Sequence, residues 1–185
     1  ESVSYITIPT ESKKIAEIVC KHIPNNKLPK DIVIIDATAG VGGDTITFCN
    51  TFQTVIAIEL DSDRFGDLQH NLNQYNFKNC ITINGDSVII LPKLPPADVI
   101  FFDVPWGEMY KTSNNLRLTL SNVEIETIVL NCFNSETTPN QPSVVVLKMP
   151  TNYDMKYFFE KVSLCLDVHL YRLRKLDIYV VEKKM

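Results

Sequence analysis

Ile32-Val33-Ile34-Ile35-Asp36-Ala37-Thr38-Ala39-Gly40-Val41-Gly42-Gly43-Asp44-Thr45 is the stretch that decides the fold. Ile32–Ile35 is a β-branched run with strand character. The glycines after it mark a tight turn into a helix predicted over Thr45–Phe52. A strand that ends in such a turn and opens a helix begins an open α/β sheet, where ligands bind outside the carboxyl ends of the strands. Glycine lets a ligand approach backbone that a Cβ would shield. The plain alternative is a tight turn that binds nothing. A nicotinamide-dinucleotide site would need another glycine three residues after Gly42, where Thr45 stands. Asp36, ahead of the glycines, suits an amine-bearing or cationic ligand better than a pyrophosphate.

Outward from this turn the alternation continues. Strands are predicted at Val55–Glu59, Cys80–Asn84, Val99–Phe102, Val144–Met149, Val168–Leu173 and Ile178–Val181. Helices are predicted at Asp63–Tyr75, Asn122–Phe133 and Asp154–Leu164, from apolar residues spaced three and four apart. Parallel neighbours need a crossover, so strands separated by helix-sized connections call for a mainly parallel sheet. The expected fold is α/β and Rossmann-like, a seven-stranded, mainly parallel sheet with a C-terminal antiparallel hairpin and helices on both faces. A helix over Ser12–Ile23 precedes the first strand. The whole chain, 1–185, is expected to form one domain, with residues 1–30 as an N-terminal helix and linker and 31–185 as the core.

Composition narrows the class. At 185 residues, 45% hydrophobic and 22% charged, the chain can bury a core unaided. Its five cysteines are odd in number and widely spaced, without the short spacing of a zinc site. They are expected to be reduced thiols of an intracellular protein, in nucleus or cytoplasm, in a cellular or a viral setting. His22, His70 and His169 are scattered, and no metal is expected. A net charge of −4 argues against long duplex held chiefly through phosphates. It fits a small or pocket-bound target better. No apolar run approaches the ~20 residues that span a bilayer, so no membrane partner is expected.

Three acids fall at successive strand ends. Asp36 follows strand one, Glu59 ends strand two, and Asp86 follows strand three in Asn84-Gly85-Asp86. Glu59 can accept hydrogen bonds from ribose hydroxyls, and Asp86 from an adenine amino group. Either acid is otherwise a surface residue or a cap. Thr38, Gly40, Gly42 and Thr45 in the turn, with Leu60 and Ser87 beside the acids, complete the expected nucleoside site. Strand four ends in Phe101-Phe102-Asp103-Val104-Pro105-Trp106-Gly107. Trp106 is the sole tryptophan, and an indole past a strand end can stack a base for ~1–3 kcal/mol. A cationic base adds ~0.5–2 kcal/mol. Pro105 stiffens the loop and removes an N–H donor. Asp103, which can also face the nucleoside site, can accept hydrogen bonds from an amine. An exocyclic amine is a poor nucleophile, and acceptors against its hydrogens stabilise the charge that develops on nitrogen. Alignment can supply much of the remaining catalysis.

These residues resemble the RNA cap guanine-N2 methyltransferases, the trimethylguanosine synthase family. The family motif Asp-x-x-x-Gly-Val-Gly-Gly-Asn-Thr-Ile-x-Phe is similar to Asp36–Phe48, and its Val-Ile-Ala-Ile-Asp strand to Val55–Glu59. Its Gly-Asp matches Gly85-Asp86, and its Pro-Pro-Trp-Gly loop resembles Val104–Gly107. Its Leu-Pro-Arg-Asn looks like Met149–Asn152, and Lys14–Glu17 matches a preceding helix. The resemblance implies S-adenosylmethionine as donor, S-adenosylhomocysteine as product, and a 7-methylguanosine-capped RNA or cap nucleotide as partner. It implies that Asp36, Glu59 and Asp86 hold the donor and that Trp106 stacks on the cationic base. Tyr110 and Asn152 are expected beside that base. Asp103-Val104 stands where the family has Ser-Pro, and Thr151 replaces an arginine suited to cap phosphates. Lys148, Lys111 or Arg117 are candidates by position for that role. Asp103-x-Pro-Trp is also similar to the Asp-Pro-Pro-Trp loop of adenine-type methyltransferases. A different nucleobase amine, or a non-catalytic cap-binding relative, therefore stays open.

Overall fold

The computed structural model describes residues 6–24 and 26–184. The strands are β1 (Val33–Asp36), β2 (Thr54–Glu59), β3 (Cys80–Asn84), β4 (Val99–Phe102), β5 (Thr119–Leu120), β6 (Val123–Glu124), β7 (Val144–Pro150), β8 (Leu166–Arg172) and β9 (Leu176–Lys183). The helices are α1 (Pro9–His22), α2 (Gly43–Thr51), α3 (Ser62–Gln74), α4 (Ser87–Ile90), α5 (Ile125–Cys132) and α6 (Met155–Val162).

Seven strands form one sheet in the order β3-β2-β1-β4-β7-β9-β8. The first five in that row pair in parallel. β9 runs antiparallel to both β7 and β8, so the terminal hairpin contributes one reversed strand. This is the expected Rossmann-like sheet. Its strands read as continuous apolar runs because both faces are covered. Successive residues point to opposite faces. Ile34, Val55, Ala57, Val99, Phe101, Val144 and Val146 pack with Ile15, Val19, Phe48 and Leu68 of α1, α2 and α3. Ile35, Ile56, Ile58, Ile100, Phe102, Val145 and Leu147 pack with Ile128, Val129, Phe158 and Val162 of α5 and α6.

Local chemistry sets the helix starts. Proline at the first position opens α1, where its missing N–H costs nothing. Asp61 caps α3 by accepting from Asp63 N and Arg64 N at 3.0 and 2.9 Å. The helix predicted over Asn122–Phe133 needs correcting, since it begins only at Ile125. Ser121 and Asn122 have φ of 51° and 63° and join β5 to β6 as a two-residue hairpin. Two consecutive left-handed residues are what the twist of so short a hairpin demands.

Candidate active site

The order of strands reverses between β1 and β4, the switch point where an open sheet leaves a crevice. A cavity of about 700 Å³ lies there, walled by the loops after β1, β2, β3 and β4, by Lys148 of β7 and by Ile6 and Thr7. Gly40, at φ 54°, gives its N–H to Glu59 Oε2 at 2.8 Å. Gly42, at φ 100°, caps α2, and a Cβ there would come within 3.0 Å of Leu68 Cδ1. The left-handed backbone and the close approach both call for glycine.

Glu59 joins two loops. Its other oxygen accepts from Asp61 N at 2.9 Å. Each oxygen keeps a second lone pair for a ligand. Asp86 Oδ1 accepts from Val88 N at 2.9 Å at the start of α4, so one of its oxygens is a cap. Asp36 is 1% exposed, and its Oδ2 accepts from the Thr45 hydroxyl at 2.6 Å. Its Oδ1 is buried with no hydrogen-bond partner among the described residues. Burial pushes the Asp36 carboxyl up to about 7, outweighing hydrogen bonding from the Thr45 side chain and the Thr38 backbone.

β4 delivers Asp103 opposite β1. The Asp103 N–H donates to Thr38 Oγ1 at 2.7 Å, tying the two strand ends together. Lys148, buried in β7, donates to Asp103 Oδ2 at 2.6 Å and to Thr7 Oγ1 at 2.7 Å. The Thr7 hydroxyl in turn donates to Asp44 Oδ2 at 2.6 Å. Burial raises Asp103 to about 6 and also raises Asp44, while the Lys148 ammonium opposes both shifts. Trp106 is half-buried, with the Tyr110 ring 4.8 Å away and the planes inclined at 53°.

Of the residues expected from sequence, Asp36, Thr38, Gly40, Glu59, Leu60, Asp86, Ser87, Asp103, Pro105, Trp106 and Tyr110 line this one cavity. Gly42, Thr45 and Asn152 do not, and each sits one layer back. Gly42 shapes the turn, and Thr45 holds Asp36. Asn152 Nδ2 donates to the carbonyls of Tyr110 and Ser113 at 2.9 and 2.7 Å, holding the loop after Trp106. Among the three phosphate candidates, Lys148 is consumed by Asp103 and Thr7. Arg117 lies on the Tyr157 ring, 3.2 Å from its centroid, and pairs with Glu124 at 2.9 Å. Lys111 lines the cavity. Sequence reasoning missed Thr7, whose side chain carries no local signal, and Asp44, which stands inside the glycine motif. A lysine within an apolar strand run signals a buried partner, which for Lys148 is Asp103.

The wall carries seven carboxylates (Asp36, Asp44, Glu59, Asp61, Asp86, Asp103, Glu108) against three cationic side chains (Arg64, Lys111, Lys148). Such a cavity favours cationic ligands. It brings acceptors, a glycine-edged floor and an aromatic pair within reach of one bound molecule.

Comparisons with known proteins identify the family. Residues 31–181 match the RNA cap guanine-N2 methyltransferase family. An uncharacterized protein of Acanthamoeba polyphaga mimivirus is 32% identical over 99% of this chain and 77% of its own length. The trimethylguanosine synthase of Schizosaccharomyces pombe is 33% identical over 51% of this chain, which spans 41% of that protein. In three dimensions, precorrin-6y C5,15-methyltransferase from Geobacter metallireducens superposes with a TM-score of 0.67 at 16% identity, covering 100% of this chain and 94% of that one. With the profile match spanning the sheet from its first strand to its last, the chain is a methyltransferase and belongs to the RNA cap guanine-N2 methyltransferase family.

Proposed function

We propose that the chain transfers a methyl group from S-adenosylmethionine to the exocyclic N2 of a 7-methylguanosine cap, leaving S-adenosylhomocysteine. The observation that carries this is the placement of Trp106 and Asp103 on the wall of an acidic cavity floored by the glycine turn. The residues fit the donor. Asp36, buried on the cavity wall beside the glycine turn, suits an ammonium group. Glu59 retains lone pairs for ribose hydroxyls, and Leu60, Asp86 and Ser87 flank the place of an adenine. When bound, the donor supplies a methyl already activated on a sulfonium.

The chain supplies position and charge. Trp106 stacks the cationic base, with Tyr110 inclined beside it. Asp103, its Oδ2 held by Lys148, presents acceptor capacity to the amine. It stabilises the positive charge that develops on nitrogen and receives the proton that leaves it. Pro105 adds no competing N–H. Asn152 acts one step removed, by fixing the loop that carries Tyr110.

The experiment is incubation with labelled donor and 7-methylguanosine nucleotide, uncapped RNA or DNA. Label on the methylated guanosine alone is the expected result. Transfer to adenine or to internal guanine would move the assignment to a second reading, another nucleobase amine. That reading is favoured by Asp103 ahead of Pro105-Trp106 and by Thr151 where the family has arginine. Donor binding with transfer to no substrate would leave a cap-binding module.

A further inference from the structure

Two of the three scattered histidines meet. His22 at the end of α1, His169 on β8 and Glu182 on β9 bring one ligand atom each to within 4.8 Å of one another. The Glu182 carboxylate reaches both rings, with Oε1 2.8 Å from His22 Nδ1 and Oε2 3.4 Å from His169 Nε2. The ring centroids are 4.8 Å apart. We propose that these three side chains bind a divalent transition-metal ion, with zinc as the natural occupant.

The donor set is what zinc takes at three-ligand sites, two imidazole nitrogens and a carboxylate oxygen at ~2.0–2.2 Å. Tetrahedral placement at that radius puts donors about 3.4 Å apart. The three donors here lie within 4.8 Å of one another, so side-chain shifts of about an ångström close the site. His22 is already oriented, because its Nε2 lies 2.7 Å from the Tyr171 hydroxyl. A hydroxyl can donate or accept. Without metal, His22 can give Nδ1–H to Glu182 and accept from Tyr171. With metal, it can give Nε2–H to Tyr171 and turn the Nδ1 lone pair to the ion. The exchange of tautomer keeps the Tyr171 hydrogen bond and trades the one to Glu182 for coordination, and a partner on the far nitrogen is how metal-bound imidazoles are held. The His169 side chain is 47% exposed, which leaves a path of entry and room for a water ligand.

This site is separate from methyl transfer. Glu182 pairs with Val144 at the start of β7, whereas the cavity lies at the carboxyl ends of the parallel strands. An ion there would clasp α1 to the terminal hairpin, which lies more than 140 residues away along the chain. Its consequence is stability.

Chelator-stripped protein is titrated with zinc by calorimetry and with cobalt by absorption spectroscopy. We expect one ion per chain, a rise in Tm with zinc, and cobalt bands without thiolate charge transfer. His169→Ala, at a half-exposed position, should keep the far-ultraviolet spectrum and weaken zinc binding by roughly tenfold or more. Tyr171→Phe, which leaves every ligand in place, should weaken it by about tenfold. No bound ion, a thiolate band, or undiminished affinity in folded His169→Ala would each overturn the site.

Discussion

Lys148 is the side chain on which the cavity's electrostatics turn. It lies between Asp103 and Thr7, and through Thr7 it reaches Asp44. Removing it strands two carboxylates in a poorly solvated place. Breaking a fully buried pair costs ~3–5 kcal/mol. Asp103 faces the cavity and is 22% exposed, so Lys148→Met should cost about 1–3 kcal/mol by urea denaturation. Adding Asp103→Ser, the residue the family carries there, should recover part of that loss, whereas additive costs would show that the two do not act as a pair. Trp106→Ala should leave donor binding intact and lower affinity for 7-methylguanosine nucleotide by roughly ten- to a hundredfold, the equivalent of ~1–3 kcal/mol of stacking, in a titration of the donor-loaded protein. The raised carboxyls add a pH signature. Asp36 at about 7 and Asp103 at about 6 hold protons in the folded chain that the unfolded chain has released. Between the ordinary aspartate value of 3.8 and about 7 the native state binds more protons, so the ligand-free protein should lose stability as pH rises through that window. Affinity for the cationic donor should run the other way and strengthen as these groups ionise, which calorimetry at several pH values would measure.

At the level of elements, the β5–β6 hairpin is the informative case. Asn122 tolerates a left-handed backbone better than most residues. Asn122→Ala should therefore cost about 1–2 kcal/mol, and Asn122→Gly close to nothing. Equal stability of the two variants in a urea midpoint comparison would show that the turn is not under this constraint. The same hairpin explains a failure of periodicity. Val123, Ile125, Ile128, Val129 and Cys132 lie at helical spacing, yet Val123 belongs to a strand. Its apolar side chain serves the core equally well in either geometry, so the pattern could not separate them. By contrast, β3 and β4 were legible to the residue, because polar or turn residues bound their apolar runs on both sides. The terminal hairpin is longer than its apolar stretch suggests. Its outer residues, such as Lys183, are held by strand pairing and carry no apolar signal.

For the whole molecule, four strand ends and Lys148 of β7 define one site, and the four ends could be anticipated from the position of the acids in the chain. What sequence could not supply was depth. Gly42, Thr45 and Asn152 sit behind the wall, while Thr7 and Lys148, 141 residues apart, form part of it. Only folding decides which layer a side chain occupies. Net charge acts at this scale as well. At −4, with an acidic cavity, the protein has little to offer a long phosphate backbone. Capped RNAs lengthened beyond the first few nucleotides should bind no more tightly than the cap nucleotide, with a shallow dependence of log K on log salt. A steep slope would reveal an extended basic track on the surface.

Thr7 leaves a practical mark. Its hydroxyl hooks the segment ahead of α1 onto Asp44 and Lys148, beside the place assigned to the reacting amine. A pull on the segment ahead of α1 is therefore transmitted to the catalytic pocket through that hook. Anything that tugs there, a bound partner or an applied load, would be felt as a change in turnover.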